Sequence, residues 1–273
     1  MKKIEVPADE AVPLDDIAPG VFGLRILFVN VFAVAVGDTW TLIDAGLNGS
    51  AAAIRRWAER HFGETRPSAI VLTHAHFDHV GAIDQLVKDW DVPVYAHADE
   101  RPYITGARAY PPPDPSVGGG LMARMAGLYP RDPVDLGGRA GSVPADGTLP
   151  MMAGWRSVHT PGHTAGHMSL FRDADRTLIV GDAFCTTKQE SFLAVATQKP
   201  ELHGPPAYFT TDWNAARESV RRLAALVPAV IAPGHGQPMA GPQTTAALRD
   251  LAEQFDVVAR PDHGRYVEQP RRA

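Results

Sequence analysis

The segment "THAHFDH" at positions 73–79 crowds His74, His76, Asp78 and His79 into one short stretch. Imidazole and carboxylate are donors that zinc and neighbouring divalent metals take, so the segment reads as a metal-binding loop. A helix cap would account for Asp78 alone among the four.

Extended backbone sends side chains two positions apart to the same side, so His74 and His76, following the apolar run "AIVLT", can share one ion. Asp78 and His79 come where the chain turns into its next helix, leave on another vector, and can serve a second ion. Three more candidates stand at equivalent places: His163 in "HTPGHTAGH", Asp182 in "VGDAF" and His235 in "APGHGQP". Each follows a strand-like run and is flanked by small residues that let the backbone come close. Two donor sets can be drawn with Asp182 bridging them: His74, His76 and His163 on one ion, Asp78, His79 and His235 on the other. Such ions acidify bound water and polarise a carbonyl, which are the requirements of hydrolysis. Outside the sets, His167 reads as a partner of a ligand and His159 as a strand residue near the site. His61, His97, His203 and His263 read as surface residues.

The elements that must position these residues are mixed. From Gly20 to Asp44 the chain is apolar and β-branched, with a hairpin turn at Gly37, and reads as antiparallel strands. A helix follows with Ile54, Trp57 and Ala58 on one face, Ser50 as its cap and Gly63 as its stop. "AIVLT" reads as a buried strand, "HVGAIDQLVKDW" as a helix and "VPVYAH" as another strand. The second half repeats this logic: strands at "WRSVHT", "HMSLF", "RTLIVGD" and "AVIAPGHG", then helices carrying Trp213, Ala216, Val220 and Leu223, and Leu248, Leu251 and Ala252. Between the halves, residues 106–150 are dense in Gly and Pro. That insertion, carrying Tyr110, Met122, Met125 and Tyr129, reads as a lid or pocket wall, or alternatively as the contact of a homodimer.

Length and composition bound the rest. A chain of 273 residues with 45% hydrophobic and 21% charged residues suits one large domain, here spanning 1–273. The net charge of −5 and the lack of a basic stripe argue against nucleic acid as a partner, and no apolar run is long enough for a membrane span. No secretory signal is visible at the start, and Cys185 is the single cysteine, which excludes an internal disulfide and a four-thiolate site. A cytoplasmic location is the expectation. The stretch after Asp182, with Phe184, Lys188 and Tyr208, reads as a substrate-binding wall with one polar anchor, and the expected partner is a small molecule.

The motif H-x-H-x-D-H followed by distant His, Asp and His resembles the metallo-β-lactamase fold superfamily, and "LIDAG" at 42–46 resembles its first motif, implying that Asp44 supports the metal loop. The resemblance covers roughly Gly20 to His235. It implies an α+β fold, a four-layer αβ/βα sandwich with two zinc ions at one edge, manganese or iron(II) being the alternatives. The closest parallels in motif are hydroxyacylglutathione hydrolases and acyl-homoserine-lactone lactonases, although Phe184 and Cys185 stand where many lactonases carry a Tyr. Antibiotic hydrolysis is disfavoured by the acidic bridge. The implied activity is that of a zinc-dependent dinuclear metallohydrolase: a metal-bound hydroxide attacks an ester, lactone or thioester carbonyl, with Asp78 orienting the nucleophile and passing a proton to the leaving group. Two alternatives stand beside it: a persulfide dioxygenase holding one iron through His79, His163 and Asp182, and an inactive metal-binding member of the superfamily.

Overall fold

A computed structural model of the chain describes residues 4–267. Its first sheet contains β1 (Val21–Ile26), β2 (Val29–Val36), β3 (Thr39–Ile43), β4 (Ile70–Val71), β5 (Val94–Ala96) and β6 (Ala140–Ser142), in that spatial order. The first three strands run antiparallel and the last three add in parallel. The second sheet contains β7 (Trp155–His159), β8 (Met168–Arg172), β9 (Thr177–Gly181), β10 (Val230–Pro233) and β11 (Met239–Ala240), ordered 11-10-9-8-7. Its one parallel pair is β9 with β10.

Strand β2 shows why two sheets stack with helices outside. Its Phe32 and Val34 point to the face shared with Val71 of the same sheet and with Met168, Leu170 and Ile179 of the facing sheet, while Val31 and Ala33 point the other way. A strand apolar on both faces must be covered on both. On the outer face the cover is α1 (Ala51–Phe62) and α3 (Ile83–Trp90), which bring Ile54, Trp57, Ile83 and Leu86 against Leu42, Ile70 and Val94. The far face of the second sheet is covered likewise by α4 (Trp213–Ala225) and α5 (Pro242–Glu253), through Val220, Leu223, Leu248 and Leu251 packed on Leu178, Val180 and Ile231. Three apolar layers therefore separate four structural ones, giving the αβ/βα sandwich. Each fully buried aliphatic side chain in them stabilises by roughly 1.5–3 kcal/mol.

Local details depart from the sequence reading in three places. The helix expected from His79 to Trp90 is split into α2 (Phe77–Val80) and α3, because Gly81 is pressed against the 46–48 loop; a Cβ there would lie 2.2 Å from the Asn48 nitrogen. Ser50 precedes α1, yet its hydroxyl donates to the Leu47 carbonyl (2.6 Å) instead of accepting from the helix. His203 is buried, not on the surface: its backbone exchanges hydrogen bonds with Cys185 (2.9 and 3.0 Å). Within residues 106–150, Tyr110 is buried, Leu121–Met125 is a short helix, and β6 joins the first sheet as its edge.

Candidate metal centre

Parallel pairing aligns strand ends, and the site is built on that alignment. β3 and β4 run side by side, so Asp44 and Thr73 emerge together, with the Asp44 N–H donating to the Val71 carbonyl (2.9 Å). β9 and β10 do the same in the other sheet: Asp182 follows Gly181, and the Gly234 N–H donates to the Gly181 carbonyl (2.8 Å) just before His235. The sheets are tied at this edge. The Met168 N–H donates to the Thr73 carbonyl (3.0 Å), and the buried Asn30 amide of β2 donates to the carbonyls of Pro233 (2.9 Å) and Gly236 (2.8 Å) around His235.

Seven buried donors converge there, in three overlapping groups: His74, His76 and His163; His74, His79 and Asp182; Asp78, His79 and His235. Within each group the donor atoms lie within 4.8 Å of one another. Nδ1 of His76 is 2.9 Å from Nε2 of His163, and Nε2 of His235 is 3.1 Å from Oδ2 of Asp182 and 3.4 Å from Oδ2 of Asp78. Asp182 also reaches His79 (3.5 Å) and His163 (3.6 Å), so one carboxylate touches both donor sets.

The donor atoms are presented rather than used up. His74 Nε2, His79 Nε2 and Asp182 Oδ1 are buried and have no hydrogen-bond partner among the described residues. Leaving three such atoms unpaired is costly unless an ion takes their lone pairs. Their far sides are held: His79 Nδ1 pairs with Asp44 Oδ2 (2.8 Å), His235 Nδ1 with the Phe28 carbonyl (2.8 Å), His74 Nδ1 with Thr73 Oγ1 (3.1 Å) and His163 Nδ1 with Thr210 Oγ1 (3.3 Å). Fixing the outer nitrogen aims the inner one, the arrangement that metal-binding imidazoles use. Asp44 reaches this position from a left-handed turn (φ 62°), which Asp tolerates better than most residues. Space is equally controlled, since a Cβ on Gly234 would lie 2.3 Å from Asp182 Oδ1. The donor chemistry and the unpaired atoms fit a pair of divalent ions.

Electrostatics divides the cluster. Burial holds His163 down at about 4 and pushes His74 and His76 well below the usual imidazole range, so their rings stay neutral, each with one nitrogen free of a proton. Burial also opposes charge on His79 and His235, but Asp182 outweighs it, aided by Asp44 at His79, so both rings are raised, His79 strongly. Burial would raise Asp182, yet His235 and His79 hold it well below the usual carboxylate value. Asp78 is raised, chiefly by burial.

The remaining candidates lie outside the donor groups. His167 Nε2 accepts the Asp182 backbone N–H (2.8 Å), which occupies the lone pair that a ligand would offer. Phe184 is fully buried in the core of the second sheet, Lys188 is partly buried without an ion pair among the described residues, and Tyr208 lies at the site's edge beside Phe209 and Tyr129. His97 and His159 stand with Asp99 on a separate surface, their rings stacked at 3.9 Å and 8°. Lone pairs in two parallel planes cannot meet on one ion, so this trio is a contact between the sheets. Sequence reasoning missed Asn30, Glu100 and Thr210. Of these only Asn30 carried a signal, as a lone amide within an apolar strand.

Comparison with known proteins agrees with this geometry. The chain is 44% identical over 245 residues to "Probable metallo-hydrolase YflN" of Bacillus subtilis (strain 168), covering 88% of this chain and 93% of that protein. Among solved structures it resembles a di-iron-bound form of TTHA1623 (TM-score 0.54, 28% identity, 83% of this chain and 96% of that one). It shares its fold with BLEG-1 B3 metallo-beta-lactamase (TM-score 0.60, 23% identity, 84% and 95% covered). The family model described as the metallo-beta-lactamase superfamily matches residues 24–235, a span that holds every donor of the cluster and the strands of both sheets apart from the start of β1 and all of β11; the chain belongs to that superfamily.

Proposed function

We propose that the protein is a dinuclear metal-dependent hydrolase acting on the carbonyl of a small ester, lactone or thioester. The observation that carries this reading is Asp182, whose Oδ2 lies 3.6 Å from His163 of one donor set and 3.1 Å from His235 of the other, while Oδ1, 3.5 Å from His79, has no hydrogen-bond partner among the described residues. His74, His76 and His163 would hold one divalent cation, and Asp78, His79 and His235 a second. When bound, such a pair supplies a water acidic enough to ionise near neutral pH and a Lewis acid for the carbonyl.

The chain does the rest. Asp44 and the Phe28 carbonyl keep the His79 and His235 rings aimed inward. Asp78 orients the attacking water, takes up the proton that water loses and passes it to the leaving group. Phe209 stacks on His76 (4.6 Å between centroids), and Phe77 on Tyr129 (5.3 Å), forming an aromatic wall that excludes water and seats an apolar group. The test is a panel of lactones, aryl esters and thioesters assayed with chelator-stripped protein before and after reloading with zinc, manganese or iron. Hydrolysis that appears only on reloading, and is lost in Asp182→Asn, supports the reading. Oxygen uptake with a persulfide, and no hydrolysis, would replace it with the dioxygenase.

A further inference from the structure

Glu100 is a fully buried carboxylate that belongs to neither donor set. It sits between the end of β5 and the short helix Arg101–Ile104, in a stretch whose neighbours Asp99 and Arg101 are exposed. Four donors reach it. Oε2 accepts the Ala75 backbone N–H (3.1 Å) and the Tyr110 hydroxyl; Oε1 accepts the Thr164 hydroxyl (2.6 Å) and the Gly166 backbone N–H (3.0 Å).

The placement of those donors gives the carboxylate a purpose. Ala75 lies between His74 and His76, and Thr164 directly follows His163. One side chain therefore clasps both loops that supply a single donor set. Tyr110 reinforces the clasp, since its oxygen also accepts the Ala75 N–H (2.9 Å) and its ring packs on His76 (4.4 Å) and stacks on Tyr103 (3.9 Å). Gly166 admits the carboxylate only because it lacks a side chain: a Cβ there would lie 2.8 Å from Glu100 Cγ. The other donor set is held by different groups, Asp44 at His79 and the Phe28 carbonyl at His235.

We infer that Glu100 is a positioning residue for the His74, His76 and His163 ion, fixing the separation of its two loops, while the rings of His79 and His235 at the neighbouring ion are aimed by Asp44 and the Phe28 carbonyl. This rests on the metallohydrolase reading above. An amide at Glu100 keeps an acceptor for one loop and turns its N–H groups toward the donors of the other, so Glu100→Gln opens half of the clasp.

The test is cobalt(II) binding by chelator competition and visible absorption on the full-length chain, with the melting temperature of the metal-free protein measured in parallel. Wild type should bind two ions per chain. Glu100→Gln should weaken one of them tenfold or more and leave the other within twofold. Combined with His235→Ala, which removes a donor from the neighbouring set, it should weaken the ion that remains. Thr164→Val and Tyr110→Phe each remove one hydroxyl and should weaken the same ion less; they carry the test if Glu100→Gln does not fold. Equal weakening of both ions in step with a lower metal-free melting temperature would show a general packing role and overturn the inference, as would wild-type affinity at both ions. A wild-type chain that binds fewer than two ions instead overturns the functional reading itself, and the inference with it.

Discussion

Asp44 Oδ2 lies 2.8 Å from His79 Nδ1 and accepts the Thr73 hydroxyl at the same distance, while Asp44 Oδ1 accepts the Thr73 N–H, also at 2.8 Å. One buried carboxylate thus locks both ends of the metal loop. Replacing it by an amide puts N–H groups where only acceptors fit. Asp44→Asn is expected to lower the affinity for the ion at His79 by about 10–100-fold, with a smaller effect at His76 and His163. Metal titration against a chelator checks this, and unchanged affinity at both ions would remove Asp44 from the account.

Gly234 has an ordinary backbone angle, so an alanine there meets no conformational penalty, but its Cβ would lie 2.3 Å from Asp182 Oδ1, 2.9 Å from His79 Cε1 and 3.2 Å from the Gly181 carbonyl oxygen. Gly234→Ala should therefore displace the bridging carboxylate. The expected result is a folded chain by circular dichroism that loses both ions and its hydrolytic activity. Full loading in this variant would mean that Asp182 does not bridge.

Protons and metal compete for the same nitrogens, and the two donor sets should differ in how they respond to acid. His163 lies at about 4, with His74 and His76 also well below the usual value, so their rings stay neutral through mildly acidic pH, each with one nitrogen free for an ion. His79 and His235 are raised, so a proton there must be displaced even near neutrality, and metal affinity falls as pH drops through those higher values. Lowering the pH from 8 to 5 should release the Asp78, His79 and His235 ion first. Stepwise release followed by a metal-sensitive dye checks the order, and prior loss of the ion at His74, His76 and His163 would contradict it.

Asp78 is the acid of the cluster whose carboxyl is shifted upward, and it lies 3.4 Å from His235 Nε2. Asp78→Asn keeps its shape but removes the exchangeable carboxyl proton. Turnover should fall by about 10²–10⁴-fold with a smaller change in KM. Steady-state kinetics at saturating metal separates the two effects, and wild-type turnover would exclude Asp78 from proton transfer.

The converging residues could be read from sequence because His74, His76, His163, Asp182 and His235 come after strands, Asp78 and His79 come at the turn into the next helix, and all are chemically conspicuous. His74 and His76 obey the two-residue alternation of extended chain, and Asp182 and His235 stand at the ends of apolar runs that pair in parallel. The residues that aim them were harder to see. Glu100 lies in "HADERP", which reads as a solvated turn, and its burial exists only because residues 75, 110, 164 and 166 arrive from elsewhere in the chain. His203 reads as exposed for the same reason, since the partner that buries it is the distant backbone of Cys185. The break at Gly81 depends on contact with the 46–48 loop and has no local breaker stronger than a single glycine.

The central claim is that this chain holds two metal ions around Asp182. Elemental mass spectrometry on protein purified without added metal or chelator measures it directly. The account predicts close to two divalent ions per chain, as zinc, manganese or iron in any combination, falling sharply in Asp182→Asn. One iron per chain, or a metal-free chain that binds none on titration, would contradict it.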